Sequence, residues 1–173
     1  MKIPLAQAAS DPADPALFRS IMGLFPTGVV VVSARTAEGN AALTLQSFQS
    51  LSLDPQLILI SVAKTSTSWP AVQAIGTFGV TFLADHQGEL ARQFSRSAAP
   101  DKFAGVELVA TPEHRHPLIA EGTAWLECSI VHVYDGGDHA IVVARVTSLG
   151  TFENTENPLL FFGSAFAELR KPA

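Results

Sequence analysis

TAWLECSIVHVYDGGDHAIVVARVTSL, residues 123–149, reads as two long strands folded back on one another. Val, Ile and Thr recur in both halves, with Trp125 and Tyr134 in the first, and the halves meet at Asp135-Gly136-Gly137-Asp138, a tight-turn signal. The stretch therefore predicts strands over 123–134 and 140–149 in an antiparallel hairpin. A hairpin needs the Asp and Gly of that turn, but nothing about it requires the histidine at 139. Cys128 falls on one strand face with Leu126 and Ile130, which predicts a buried core thiol.

Outward from the hairpin, the same residue types recur in short blocks. VVVVSA after Gly28, Ala41 to Ser47, SLSL before Asp54-Pro55, LILISV, TFGVTFLAD and a closing PLLFF (158–162) each predict a strand. Three short helices are predicted between them. The first starts at Asp14-Pro15 and carries Leu17, Ile21 and Leu24 on one face. The second has Ser68 as N-cap and Gly76 as stop, and the third is GELARQF (88–94). Residues 1–13 predict a flexible tail, and 97–122, with three prolines and two glycines, a mostly irregular connection. The fold class expected is mainly β, an antiparallel barrel with a few short peripheral helices, as one domain over 14–170.

At 173 residues with 47% apolar and 16% charged, the chain can bury a full core and has apolar surface to spare for a partner subunit. A net charge of -5 and a pI near 5.4 exclude a general nucleic-acid binder, which needs a basic stripe. One cysteine suits a reducing compartment. The N-terminus does not read as a signal peptide, and no apolar run approaches the roughly 18 residues of a membrane span. No membrane association and a cytoplasmic location are the expectation.

Four segments have side chains suited to chemistry. SVAKTSTSWP (61–70) leads from a strand through Lys64 and four hydroxyl residues into a helix start, a setting that favours an anion. Arg92, Arg96 and Lys102 cluster in an otherwise acidic chain. ALTLQSFQSLSLDP (42–55) places Thr44, Gln46, Ser47 and Gln49 among apolar neighbours, as a bound heteroaromatic would require. For each of the three, a solvated polar loop, helix end or strand face is the competing reading. His114 and His116 lack a partner at metal-site spacing, so they are expected in a surface loop and no metal site is expected. P-loop, Rossmann-fingerprint and nucleophile-elbow motifs are missing from the sequence.

In order along the chain come FPTGV (25–29), TLQSFQSLSLDP (44–55), KTSTSWP (64–70), FSRSAAPDKF (94–103), WLEC (125–128), GDH (137–139) and PLLFFGSAF (158–166). This series resembles the short-chain NAD(P)H:flavin oxidoreductases of the FMN-binding split-barrel superfamily, over about residues 16–167. Gln46 stands where that family usually has Asn and keeps the amide donor and acceptor. Gln56 replaces a Pro, and Phe166 replaces a Tyr, keeping the ring and losing the hydroxyl.

The resemblance implies a Greek-key split barrel that transfers a hydride from NADH or NADPH to FMN or FAD. It implies a homodimer with flavin at the subunit interface, and a flavin-dependent monooxygenase as recipient of the reduced flavin. The implied cofactor-binding residues are Thr27, Thr44, Leu45, Gln46, Ser47, Ser61, Val62, Ala63, Lys64, Ser66, Ser68, Phe94, Ser95, Arg96, His139 and Phe166. His139 is also the implied catalytic residue, facing the ring where the nicotinamide stacks. Two alternatives stay open on the residues: a flavin- or apolar-ligand-binding barrel without reductase activity, and a pyridoxamine-phosphate-oxidase-like barrel.

Overall fold

The computed structural model describes residues 14–96, 101–109, 115–153 and 157–169. Helix α1 (Pro15–Met22) is followed by strands β1 (Thr27–Gly28), β2 (Val30–Thr36), β3 (Gly39–Leu45), β4 (Gln49–Leu53) and β5 (Gln56–Ala63). Helix α2 (Trp69–Ile75), β6 (Thr77–Phe82) and helix α3 (Gly88–Ser95) come next. The chain closes with β7 (Ala124–Gly136), β8 (His139–Thr151), β9 (Leu160–Phe162) and β10 (Ala165–Ala167). The predicted 1–13 tail lies outside the described residues.

Seven strands form one antiparallel sheet in the order β3-β2-β6-β7-β8-β5-β4. Its centre is the hairpin that opened the sequence, longer than expected: both strands extend to the tip, Gly136 pairs with His139, and only Gly137 and Asp138 turn. Gly137 has a φ of 84°, a conformation glycine adopts without penalty. His139 is thus the first residue of a strand rather than part of the turn.

The sheet rolls on itself. Alternate residues of β2 (Val30, Val32), β3 (Leu43), β5 (Ile58, Ile60, Val62), β6 (Phe78, Val80), β7 (Cys128) and β8 (Val142, Ala144) share one buried cluster, with Trp69 and Val72 of α2 plugging it. Strands from near both edges meet in that cluster, so the sheet is a barrel wall. Among the described residues no ladder joins the edge strands β3 and β4, and the barrel stays split there. Cys128 is the core thiol expected, and burial, with the Glu127 carboxylate adding to it, pushes it up to about 12.

A second layer packs outside β2 and β3. Val29, Val31 and Ala42 meet Ala91 and Phe94 of α3, with Leu83, Ile119 and Leu159. Both faces of β2 are therefore buried, which is why VVVV carries no polar alternation. Residues 158–162 form a strand only from Leu160, in a small sheet β1-β9-β10 whose last member was not anticipated. Apolar residues of α1 and the turn after it stay outside: Ile21 is 52%, Leu24 66% and Phe25 70% exposed.

Candidate flavin site

Where β3 and β5 end, the chain builds a cavity of about 390 Å³. Leu43 and Leu45 of β3 with Val62 and Ala63 of β5 give it an apolar wall. Thr65, Ser66 and Thr67, on the loop into α2, give it a hydroxyl face. Phe94 and Ser95, at the end of α3, and Lys102 complete it. Thr44, Leu45, Val62, Ala63, Ser66, Phe94 and Ser95 were all picked out from the sequence, and the fold brings them together from three distant segments.

Several expected ligand groups already hold the protein together. Thr44 Oγ1 donates to the Ala91 carbonyl at 2.7 Å, tying β3 to α3. Ser47 Oγ donates to the Ser61 carbonyl at 2.7 Å and accepts from the Ser61 N–H at 3.0 Å. The β4–β5 register pairs Gln49 with Leu59, so the ladder continued two residues further would bring Ser47 opposite Ser61. The Ser47 hydroxyl replaces backbone pairing at the point where the barrel splits. Ser68 does not cap α2 as expected. Ser66 Oγ accepts the Trp69 N–H at 3.2 Å instead, and Ser68 Oγ accepts from Lys102 Nζ at 3.0 Å. Ser95 Oγ donates back to the Arg92 carbonyl.

The two lysines are placed differently. Lys64 is half-exposed and reaches away to Asp135 at the hairpin tip, Nζ to Oδ2 2.6 Å. That hydrogen bond holds the Asp135 carboxyl below its ordinary range, helped by the Gly137 N–H. Lys102 instead turns into the fold. Its ammonium donates to the Ala42 carbonyl (3.2 Å), Ser68 Oγ and the Phe94 carbonyl (3.2 Å), one acceptor for each of its three N–H groups. Burial lowers its pKa. The Gln93 amide holds the segment in place by donating to the Lys102 and Ala104 carbonyls. Lys102, Thr65 and Thr67 were not selected as site residues. Lys102 lay in the basic cluster, but spacing alone did not show that its segment folds back over β3.

Beside this cavity lies another of about 490 Å³, bordered by Phe25, Thr27, Gln46 and Phe48. Thr27 Oγ1 is buried there with no hydrogen-bond partner, a costly state that a bound ligand would relieve. Gln46 is exposed at its rim. His139 pairs with Ala63 across the β5–β8 ladder, so its side chain shares the face of a residue in the cavity wall. Its Nδ1 lies 2.7 Å from Asp138 Oδ1, and this contact lowers the Asp138 pKa. Arg96 is exposed just past α3. Phe166 is not in either cavity. Its ring packs edge-on against Phe161 and under the Arg92 guanidinium, 4.7 Å from the ring centre.

His116 is not a surface residue, although a surface loop was expected. It is 3% exposed, accepts the Arg35 N–H on Nδ1 at 3.3 Å and lies 2.9 Å from Thr77 Oγ1 on Nε2. It belongs to a strap over β2 and β6 that is pinned by Ser33 to the Pro117 carbonyl and by Thr81 Oγ1 to the Ile119 N–H. A Cβ on Gly79 would come within 2.8 Å of Leu118, so glycine lets the strap lie flat. His114 lies outside the described residues, and those residues hold no cluster of three metal-ligating side chains.

An apolar slot, hydroxyls at one end, a half-buried ammonium and an orphaned hydroxyl next door suit a flat heteroaromatic carrying an anionic tail. Residues 22–170 match the model of the flavin reductase like domain. The chain belongs to the flavin reductase-like family. It is 38% identical over 154 residues to the reductase subunit HsaB of a flavin-dependent monooxygenase from Rhodococcus jostii, covering 89% of this chain and 77% of that one. It is 38% identical to the NADH-dependent FAD reductase of Streptomyces globisporus, over 90% and 86% of the two chains.

Among solved structures, the S. globisporus NADH:FAD oxidoreductase in complex with NAD and FAD fragments superposes with a TM-score of 0.86 at 37% identity, covering 94% and 97%. The styrene monooxygenase flavin reductase of Pseudomonas putida S12 superposes at 0.79 and 32% identity, over 90% and 99%. Family membership bears out the mainly β fold that the seven motifs implied.

Proposed function

We infer that this protein is an NAD(P)H-dependent flavin reductase that passes reduced flavin to a separate monooxygenase. The observation that carries the reading is the cavity at the ends of β3, β5 and α3, in a chain that matches the family over nearly its whole length. When bound, a flavin accepts a hydride from the reduced nicotinamide. The residues of this chain bind and orient the partners of that transfer. Leu43, Leu45, Val62 and Ala63 exclude water from the ring, and the hydroxyls from Thr65 to Thr67 and Lys102 meet its anionic tail. Thr27 and Gln46 supply polar groups for a ring edge in the adjoining cavity. His139, beside Ala63 at the mouth, offers a hydrogen-bond donor where negative charge develops.

A homodimer is part of the same reading. Phe18, Ile21, Met22, Leu24 and Phe25 form an exposed apolar run on α1 and the turn after it, close to the Thr27 cavity. Such a surface suits burial against a second copy. A cytoplasmic location accords with the lone, buried Cys128, which makes no disulfide. Among the described residues no helix is long and apolar enough to cross a membrane.

Steady-state oxidation of NADH and NADPH, with and without added FMN or FAD, tests the function. Oxidation that requires flavin supports it. Flavin binding without oxidation of either nicotinamide would leave only a binding barrel.

A further inference from the structure

The two carboxylates of the 135–138 turn play different parts. Asp135 closes the turn: Oδ1 accepts the Gly137 N–H at 3.0 Å and Oδ2 takes the Lys64 ammonium at 2.6 Å. Asp138 makes neither contact. Its carbonyl accepts the Lys64 N–H at 2.9 Å, which fixes its backbone against the end of β5. Its Oδ1 then lies 2.7 Å from His139 Nδ1.

An ionised carboxylate has no proton to give, so the hydrogen in that contact belongs to Nδ1. Asp138 is ionised at neutral pH, because its side chain is 93% exposed and the imidazole holds its carboxyl below the ordinary range. A neutral imidazole has a single N–H. With Nδ1 holding it, Nε2 is a bare acceptor and becomes a donor only when the ring is a cation. Among the described residues only Nδ1 is engaged, and the ring stands on the same face as Ala63 in the cavity wall.

The charged groups around the ring are few. Lys64 and Asp135 stand at the ends of β5 and β7 and pair with each other. Tyr134 shares the His139 face two residues back along β7, with His132 beyond it at 5.5 Å between ring centres. Of these, only His132 is, like His139, of the side-chain type whose unperturbed charge change falls between about pH 5 and 8.

Resting on the flavin reductase reading, we propose that Asp138 is a positioning residue for hydride transfer: by keeping a proton on Nδ1 it makes the donor that His139 offers the reacting partners a charged one, present when the imidazole is protonated and lost when it is not. Asp138→Asn changes that rule. An amide can give Nδ1 a hydrogen bond as well as take one, so the neutral ring can carry its proton on Nε2 and keep a donor there at high pH. The exposed side chain and the retained backbone carbonyl leave the turn intact.

Two readouts test this, the first without flavin. Long-range 1H–15N correlation spectra of the flavin-free protein at about pH 8.5, above the histidine range, show which imidazole nitrogen is protonated. The His139 signals, one set among five histidines, are those that disappear in His139→Ala. The wild type should show the Nδ1–H tautomer, and Asp138→Asn a shift towards Nε2–H. The second readout is the saturating single-turnover rate from about pH 6 to about pH 9. Across that range the wild-type rate should fall about ten-fold towards that of His139→Ala, and the Asp138→Asn rate by less than about three-fold, leaving the variant faster at high pH. In the His139→Ala background, which keeps His132, Asp138→Asn should change nothing. An Nε2–H tautomer in the wild type, or pH profiles of one shape in the wild type and Asp138→Asn, would overturn the proposal. No flavin-dependent oxidation of nicotinamide at any pH would instead bring down the reductase reading, and the positioning role with it, whatever the tautomer.

Discussion

Lys64 and Lys102 belong to two regions of one site that follow opposite rules. Lys64 sits in a run of hydroxyls at a helix entrance, the setting a sequence most readily suggests for an anion, yet it is exposed and bound to Asp135. Lys102 sits in an irregular connection, yet its ammonium is drawn in against three acceptors on β3, α2 and α3. The hairpin tip, with Lys64, Asp135, Asp138 and His139, is a wet surface of paired polar side chains. The floor under the loop into α2 is half-buried and preorganised. A charge acts more strongly where water is excluded, so the floor should govern binding, whereas the tip should matter only where a group touches the reacting partners.

The largest effect expected is at the tip, from the one residue there that shares the cavity face. His139→Ala should lower the hydride-transfer rate by roughly ten- to a hundred-fold, the loss of about 1.4–2.7 kcal/mol of transition-state stabilisation. Flavin affinity and Tm should hold, because the side chain is 43% exposed and outside the core. Stopped-flow loss of flavin absorbance under anaerobic single-turnover conditions measures it. An unaltered rate would make the tip inert and break the comparison.

Next is the floor. Lys102→Met keeps the stem and removes the charge, and it should weaken FMN binding by about ten-fold or more, because the phosphate loses the attraction of a nearby positive charge in a half-buried setting. Riboflavin, without a phosphate, should lose less. Equal losses would show that Lys102 only shapes the cavity.

His116 belongs to neither region and serves as a control on the fold alone. Burial lowers its pKa from 6.5, outweighing the opposing Glu127 carboxylate, while Arg115 and Arg35 also lower it. The unfolded chain therefore takes up a proton first. Stability should fall as pH drops below about 6.5 and level off below the folded-state pKa. His116→Gln should flatten that slope in denaturant titrations and cost about 1 kcal/mol at neutral pH, since the Arg35 N–H loses its ring acceptor. Flavin affinity should not change. A slope that persists in the variant would assign it to other groups.

The smallest effect is predicted for Lys64→Ala. A surface ion pair contributes little, so flavin affinity should change by less than about two-fold. A ten-fold loss specific to FMN would return the anion to the hydroxyl-rich loop and reverse the roles of the two lysines.

What the sequence revealed depended on how local each signal was. The hairpin at 123–149, the buried thiol at 128 and the stop at Gly76 follow from neighbours a few residues apart, and the structure bears them out. Most of the cavity wall was legible too, because its motifs occur in a fixed order. Residues whose roles depend on distant approach were not. Lys102 becomes an inward cation only when residues 101–109 fold over β3, and His116 is buried only because the strap crosses Gly79. Nothing local shows that the Ser47 hydroxyl bonds to the Ser61 backbone where the sheet splits. Phe166 kept an aromatic ring, but Arg92 and Phe161 already occupy its faces and edge.

The division between a binding floor and a reacting tip is tested most directly by a double-mutant comparison of Lys102→Met and His139→Ala. Single-turnover reduction is followed at increasing flavin, so that each protein yields a flavin Kd and a saturating rate. The account predicts that Lys102→Met raises Kd and leaves the saturating rate, that His139→Ala does the reverse, and that the double variant shows both changes undiminished. If His139→Ala raised Kd as much as Lys102→Met, or if Lys102→Met cut the saturating rate, the two regions would be one and the account would be contradicted.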